Sequence, residues 1–345
     1  MPRVALSLVT WNSMKYLPDA MESVRAQSYP DLTPIIVDNG SSDGSAEFVR
    51  KEYPEAMVLQ NTRNLGFARA HNQAIEYART HMMSDDDEVF VMVTNPDIIL
   101  DERFVERLVE RFEHRTDAGS ACGKLLKVYE TMDGDLRGKD FSDTIDTAGL
   151  RVFRSRRMVE RGSGEKDGER FERTEEVFGV SGAVAMYRMK ALVDAAVSSE
   201  YFDEDFLAYK EDVDLSWRLR LLGWKSIFVP AARAYHYRAL SGVEKFSIRK
   251  MMRGHAGRSL FRSRLSYRNH LLTIIKNDHL LNLLRDLPRI AFFEIGKFCY
   301  LTLFNPATLT AVPAFVRALP GAIRKRRIIM DKARAGRKDI RSWFV

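Results

Sequence analysis

The chain has 345 residues, 45% hydrophobic and 29% charged, an ordinary globular composition able to bury a large core in one or two domains. Its two cysteines, Cys122 and Cys299, lie far apart without metal-ligand spacing, which excludes a disulfide framework and predicts reduced core residues of a cytoplasmic protein. The net charge of +7 is unevenly spread: residues 241–345 hold 22 of the 54 Lys and Arg but six of the 47 Asp and Glu, an excess of +16 that leaves −9 on residues 1–240.

Val4–Thr10 reads as a strand that begins almost at the first residue, so no signal peptide is expected. Residues 14–27 follow with helical apolar spacing at Met14, Leu17, Met21 and Val24. Pro34–Val37 is a second short strand, opening into Asp38-Asn39-Gly40-Ser41-Ser42-Asp43-Gly44-Ser45, turn formers that also cap a helix over Ala46–Glu52. Met57–Asn61 is a third strand, and Asn64-Leu65-Gly66 turns into a helix from Phe67 to His81. In Glu88–Asp97 the unbroken run Phe90–Val93 predicts a strand buried on both faces. Pro96 cannot donate to a ladder and must end it. Asp97 is thereby expected at the carboxyl end of a central strand, where α/β sheets place their ligand crevices, with a helix from Asp101. Strands alternating with helices over the first ~115 residues predict an α/β fold, a doubly wound, mostly parallel sheet with flanking helices. Neither GxGxxG nor GxxxxGK[ST] occurs at the glycine-rich turns, which argues against a dinucleotide oxidoreductase and a P-loop NTPase.

From Tyr129 to Glu176 charge dominates and the pattern predicts hairpins and loops over the crevice. Val177–Tyr187 reads as a buried strand whose Gly179 and Gly182 permit close approach. Glu211-Asp212-Val213-Asp214 opens a helix over Asp214–Leu222, ended by Gly223, with Trp217 expected in the core and Arg218 on the surface. Lys225–Val229 is a last strand, with Tyr235-His236-Tyr237 just beyond it.

Taken singly, the acids at Asp38, Asp97 and Glu211/Asp212 are ordinary turn and helix-start residues, and His236 an ordinary core histidine. Their order and spacing suggest more. A carboxylate at Asp97 can hold a hard divalent cation, which neutralises a departing diphosphate, while a second carboxylate takes the proton of an attacking hydroxyl.

The chain resembles the inverting family 2 glycosyltransferases of GT-A fold, particularly the rhamnosyltransferase-like branch. The matching segments are Thr10–Asn12 (TWN), Val37–Ser45, Asn64–Ile75, Asn95–Asp97 (NPD), Asp146–Gly149 (DTAG), Gly179–Arg188, Phe202–Trp224 and His236, spanning residues 3–240. The resemblance implies that Thr10, Asn12 and Asp38 line a nucleotide pocket and that Asn64, Gly66 and Asn72 shape the wall near nucleotide and sugar. It makes Asp97 the carboxylate of the DXD metal motif, with Asn95 in place of its first Asp. His236 would complete the shell of an Mg2+ or Mn2+ ion or lie near the diphosphate. Asp212 would be the general base, with Glu211 orienting the helix start or the acceptor. Trp217-Arg218-Leu219-Arg220 stands where processive synthases carry QxxRW, so single-sugar addition is expected.

The implied partners are a nucleoside-diphosphate sugar donor and a glycan or lipid-linked acceptor. The rivals are a polyprenyl-phosphate sugar synthase and a non-catalytic membrane-bound scaffold. A catalytic domain over residues 1–240 is expected to be followed by a basic α-helical extension over residues 241–345. There Ile290–Phe304 and Leu309–Ile323 are apolar but short of the ~20 residues that span a bilayer, and Arg324-Lys325-Arg326-Arg327 follows. The extension reads as a segment lying on an anionic membrane surface, which places the protein at the inner face of the cell membrane, or as helices packed on the catalytic domain. No nucleic-acid reading module is evident.

Overall fold

The computed structural model describes residues 1–84, 88–133, 136–238 and 260–345. The chain opens with β1 (Arg3–Thr10) and alternates through α1 (Leu17–Arg25), β2 (Leu32–Asp38), α2 (Ser45–Glu52), β3 (Met57–Gln60), α3 (Phe67–Met82) and β4 (Val89–Thr94). Parallel neighbours need a crossover, which the helices supply, and β3-β2-β1-β4 lie side by side in parallel. Then come β5 (Ile98–Leu100) and α4 (Phe104–Glu113). Val91 and Val93 pack with Ala70 and Ala74 of α3 on one face, and Phe90 and Met92 with Met21 of α1 and Phe112 of α4 on the other. That is why all six residues of β4 are buried. Each such aliphatic or aromatic side chain contributes about 1.5–3 kcal/mol.

The long strands β6 (Ala118–Asp133) and β7 (Leu136–Thr147) form a hairpin, followed by the small pair β8 (Leu150–Val152) and β9 (Met158–Glu160). β10 (Glu175–Val177), β11 (Val184–Arg188), α5 (Met189–Ala195), α6 (Glu211–Leu221) and β12 (Lys225–Arg238) complete the α/β unit. Among the described residues ten strands share one sheet, in the order β10-β12-β6-β11-β4-β1-β2-β3, with β5 on β12 and β7 on β6. Antiparallel β11 joins the parallel half to the parallel pair β6–β12.

Several expectations need correction. Val177–Tyr187 is not one strand: residues 178–183 turn between β10 and β11. The last strand does not stop at Val229 but runs to Arg238, because a register shift between Val229 and Arg233 absorbs Pro230 as a bulge, so His236 lies within the sheet. The acidic helix begins at Glu211 rather than Asp214. Arg218 is buried, not on the surface, its Nε donating to Asp214 Oδ2 at 2.9 Å and its terminal nitrogens to the carbonyls of Ala195 and Tyr201. Cys122 is buried as expected, whereas Cys299 is exposed.

Among the described residues four helices follow: α7 (Leu260–Asn277), α8 (Leu280–Phe304), α9 (Ala311–Lys332) and α10 (Arg337–Ser342). The boundary expected between residues 240 and 241 lies outside the described residues. Buried charges stitch the helices to the α/β unit. Lys276 of α7 pairs with Asp203 and, at 2.7 Å, with Asp214, and Lys325 of α9 reaches Asp203 at 2.6 Å and Glu200 at 2.9 Å. Arg156 meets Asp278 at 2.7 Å and Asp286 at 3.0 Å. Part of the acidic–basic division of the sequence is thus internal complementarity. Among the described residues no single helix is long and apolar enough to cross a membrane; α8 and residues 306–332 pass that test only as a pair bent by 116°.

Candidate active site

β4 ends at Thr94, and the next residues are held by backbone. Asn95 N donates to the Ala183 carbonyl at 2.9 Å, and Tyr237 N donates to the Asp97 carbonyl at 3.0 Å. β5 then pairs Ile98 with His236, which sets the side chains of Asp97 and His236 together: Nε2 is 3.3 Å from Asp97 Oδ2. His236 Nδ1 lies 2.9 Å from Oδ2 of buried Asp146, which also takes two hydrogen bonds from the Arg238 guanidinium at 2.9 and 2.8 Å. Burial works to raise the Asp146 carboxyl, but the bonds from His236 and Arg238 outweigh it and hold it well below the usual carboxylate range. Burial likewise works to lower the His236 imidazole, and the bonds to Asp146 and then Asp97 raise it on balance.

On the other side stands the start of α6. Asp212 Oδ2 accepts from Gly182 N at 2.9 Å and Oδ1 from Val213 N at 2.8 Å. Glu211 is buried, and its Oε2 has no hydrogen-bond partner among the described residues. Burial, and then the negative charge of Asp212, push the Glu211 carboxyl well above the usual range. Of the two adjacent carboxyls, Glu211 is buried without a partner for Oε2 among the described residues, whereas both Asp212 oxygens accept backbone N–H groups.

The segment entering α6 is strained. Leu207, Tyr209 and Lys210 all have left-handed backbone (φ 61°, 70° and 76°), unusual for residues with side chains. Such conformations cost about 1–3 kcal/mol each and persist where surroundings over-determine them. Asn269 of α7 supplies that constraint, its Nδ2 lying 2.8–2.9 Å from the carbonyls of Phe206, Ala208 and Tyr209. The start of α3 presses on the same segment: Gly66 (φ 85°) leaves no room for a Cβ, which would fall 2.6 Å from the Leu207 carbonyl oxygen.

Asn95, Asp97, Glu211, Asp212 and His236 all line one open cavity of about 720 Å³. The other expected site residues lie outside its lining. Thr10 and Asp38 sit side by side in register at the carboxyl ends of β1 and β2, and Thr10 Oγ1 and Asp38 Oδ1 are buried without partners among the described residues. Asn12 closes this edge, its Oδ1 accepting from Ser42 N at 2.8 Å. Asn64 Oδ1 accepts from Asn39 Nδ2 at 3.0 Å and Gly66 N at 2.8 Å. The Asn72 amide is committed to both backbone groups of Phe202, each at 2.8 Å.

Sequence reasoning missed Glu160, Lys210, Arg262 and Lys297, which also line the cavity. Glu160 was hidden inside the basic run Arg151–Arg161. It accepts from Thr147 Oγ1 at 2.6 Å and Ser181 Oγ at 3.1 Å, and burial, then the Asp212 charge, push it up to about 7.

Asp97 and His236 fit a divalent cation. Asp97 Oδ1 is buried without a partner among the described residues, and Asp146 on Nδ1 is the outer carboxylate that would leave Nε2 as a ligand. Among the described residues no cluster of three or more His, Cys, Asp or Glu is placed to hold a metal ion.

The cleft lies at the carboxyl edge of the sheet, where open α/β folds bind their ligands. The profile of Glycosyl transferase family 2 matches residues 7–194 and that of Glycosyl transferase family group 2 matches residues 150–304. The chain belongs to glycosyl transferase family 2. It is 29% identical over 247 residues to the N-acetylglucosaminyl-diphospho-decaprenol L-rhamnosyltransferase of Mycobacterium tuberculosis, covering 68% of this chain and 75% of that one. The poly-beta-1,6-N-acetyl-D-glucosamine synthase of Staphylococcus aureus is 26% identical over 257 residues, 73% of this chain and 54% of that one. Among solved structures, S. aureus TarS superposes with a TM-score of 0.52 at 16% identity, over 96% of this chain and 52% of that chain. GalNAc-T7 with UDP, GalNAc and Mn2+ superposes at 0.55 and 12% identity, over 79% of this chain and 48% of that chain. The α/β architecture expected from the sequence, of GT-A type, is the one these enzymes share.

Proposed function

We propose that the protein is a metal-dependent inverting glycosyltransferase. It moves a hexose or deoxyhexose, rhamnose foremost, from a nucleoside-diphosphate sugar to a hydroxyl of a cell-surface glycan or lipid-linked acceptor. The observation that carries this reading is that Asp97 and Asp212, 115 positions apart in sequence, face one cavity. Thr10, Asn12 and Asp38 hold the nucleotide, where the unpartnered Thr10 Oγ1 and Asp38 Oδ1 await polar groups. Asp97 and His236 would hold the Mg2+ or Mn2+ ion, which when bound stabilises negative charge on the diphosphate. Asp212, braced by Gly182 N, takes the proton of the acceptor hydroxyl as its oxygen bonds to the anomeric carbon. The bond to the diphosphate breaks on the opposite face, the electron pair leaves with the phosphate, and the anomeric centre inverts. Burial of Glu211 favours its neutral form, which limits the negative charge beside the base. A panel of nucleotide sugars screened with purified protein and an acceptor hydroxyl, with released diphosphate as readout, tests the reading: release with one donor is expected, and its absence with every donor refutes the reading.

The protein works at an anionic membrane surface on the cytoplasmic side. This is supported by an apolar face of α8 and α9 that includes Phe292 (85% exposed), Ile295, Leu303 and Val316, with Arg285, Arg289, Arg317 and Arg324 exposed on the same helices. Full-length protein should sediment with anionic vesicles at low salt, and failure to bind them refutes this location.

A further inference from the structure

Among the described residues, the cations that join the C-terminal helices to the α/β unit are paired, whereas two half-buried lysines that face the cavity are not. Lys276, Lys325 and Arg156 each meet carboxylates, as described above. Lys297 of α8 and Lys210 at the start of α6 line the cavity, and neither forms an ion pair among the described residues. Lys297 Nζ lies 4.8 Å from the centre of the Tyr267 ring. The carboxylate that acts on it, Glu294, accepts instead from His270 Nε2 at 2.7 Å. Burial lowers the Lys297 ammonium, Glu294 opposes this, and Lys210 lowers it further. Lys210 directly precedes Glu211 and lines the same cavity as Glu211, Glu160 and Lys297. Two cations lining one cavity repel each other, and an anion between them removes that cost.

α8 explains which anion. Its inward positions, Glu294, Lys297 and Leu301, follow helical spacing, while Phe292, Ile295 and Phe298 point outward and are exposed. One helix therefore presents an apolar face outside and an ammonium inside. The residues assigned to the donor come instead from β1, β2 and the end of β4.

We propose that the part of the cavity walled by α7 and α8 is a phosphate subsite for the acceptor, with Lys297 and Lys210 as its cations. The acceptor is thereby a sugar carried on a phosphorylated lipid, whose phosphate lies on these ammonium groups and whose chain leaves along α8. This rests on the glycosyltransferase reading and narrows its acceptor.

The direct test is calorimetry of a short-chain prenyl diphosphate with full-length protein, with and without saturating nucleoside diphosphate. Wild type should bind it, and Lys297→Met should bind it roughly 10- to 100-fold more weakly, as expected for losing one hydrogen bond to a charged group. Lys297→Arg should largely restore binding, and thermal unfolding should show all variants folded. Binding that persists with nucleoside diphosphate present supports an acceptor subsite. No binding by wild type, equal binding by Lys297→Met, or competition by the nucleotide overturns the proposal, the last by assigning the cations to the donor. In turnover with the donor the screen identifies, Lys297→Met should raise the KM of a lipid-diphosphate sugar and leave that of a neutral alkyl glycoside unchanged. Absence of transfer by wild type to any acceptor sinks the glycosyltransferase reading itself, whereas an equal KM shift for both acceptors sinks only the subsite.

Discussion

Asn269→Ala should uncouple the catalytic segment from the helices that hold it. The Asn269 amide approaches three carbonyls, those of Phe206, Ala208 and Tyr209, but carries two N–H bonds, so it is worth two hydrogen bonds shared among three acceptors. At about 0.5–1.5 kcal/mol each, their loss costs about 1–3 kcal/mol. Unfolding entropy is about 2.1 cal/mol/K per residue near 60 °C, or about 0.7 kcal/mol/K for this chain, so Tm should fall by about 1–4 °C. Activity should fall much further. The left-handed residues Leu207, Tyr209 and Lys210 are then free to relax, and the start of α6, with Glu211 and Asp212, moves with them. The assay pairs thermal unfolding with turnover and donor calorimetry. A kcat reduced at least about tenfold with donor affinity retained is expected, since a displacement near 1 Å in a reacting group costs up to about 100-fold. Wild-type kcat together with the lower Tm would refute the idea that Asn269 holds the segment for catalysis.

Chelation by EDTA should abolish transfer, Mg2+ or Mn2+ should restore it, and Asp97→Ala should not be rescued by either; activity untouched by EDTA removes Asp97 and His236 as metal holders. Glu211→Gln should change the pH dependence of stability. The folded-state pKa of Glu211 is raised, so its contribution is fully present below the ordinary carboxylate range and is lost as pH rises through the folded value. The variant cannot ionise there and should be more stable than wild type at pH 9 and similar at pH 5; equal Tm differences at both pH values would contradict the burial argument.

Much of the parallel half was legible because its signals are local. An unbroken apolar run such as Phe90–Val93 can be satisfied in a strand covered on both sides, and Pro96 marks its end. The acids Asp97 and Glu211/Asp212 were legible as strand-end and helix-start residues. What stayed hidden depends on contacts between distant segments. Strand β12 runs past Pro230 because β6 and β5 pair with its second half, which no local signal announces. Arg218 is buried because Asp214 and two carbonyls surround it, and an arginine on an acidic helix reads as solvated until they are known. Glu160 and Lys297 reach the cavity from a small strand pair and a C-terminal helix, neither of which has a motif of its own.

The central claim is that Asp212 accepts the proton of the attacking hydroxyl across the cavity from Asp97. Its most direct measurement is the transfer rate of Asp212→Asn at saturating donor and acceptor, with donor affinity measured in parallel. The expected result is donor binding within about twofold of wild type and a rate lower by about 10²–10⁴-fold, the usual worth of a general base. Near-wild-type turnover by this variant would contradict the claim.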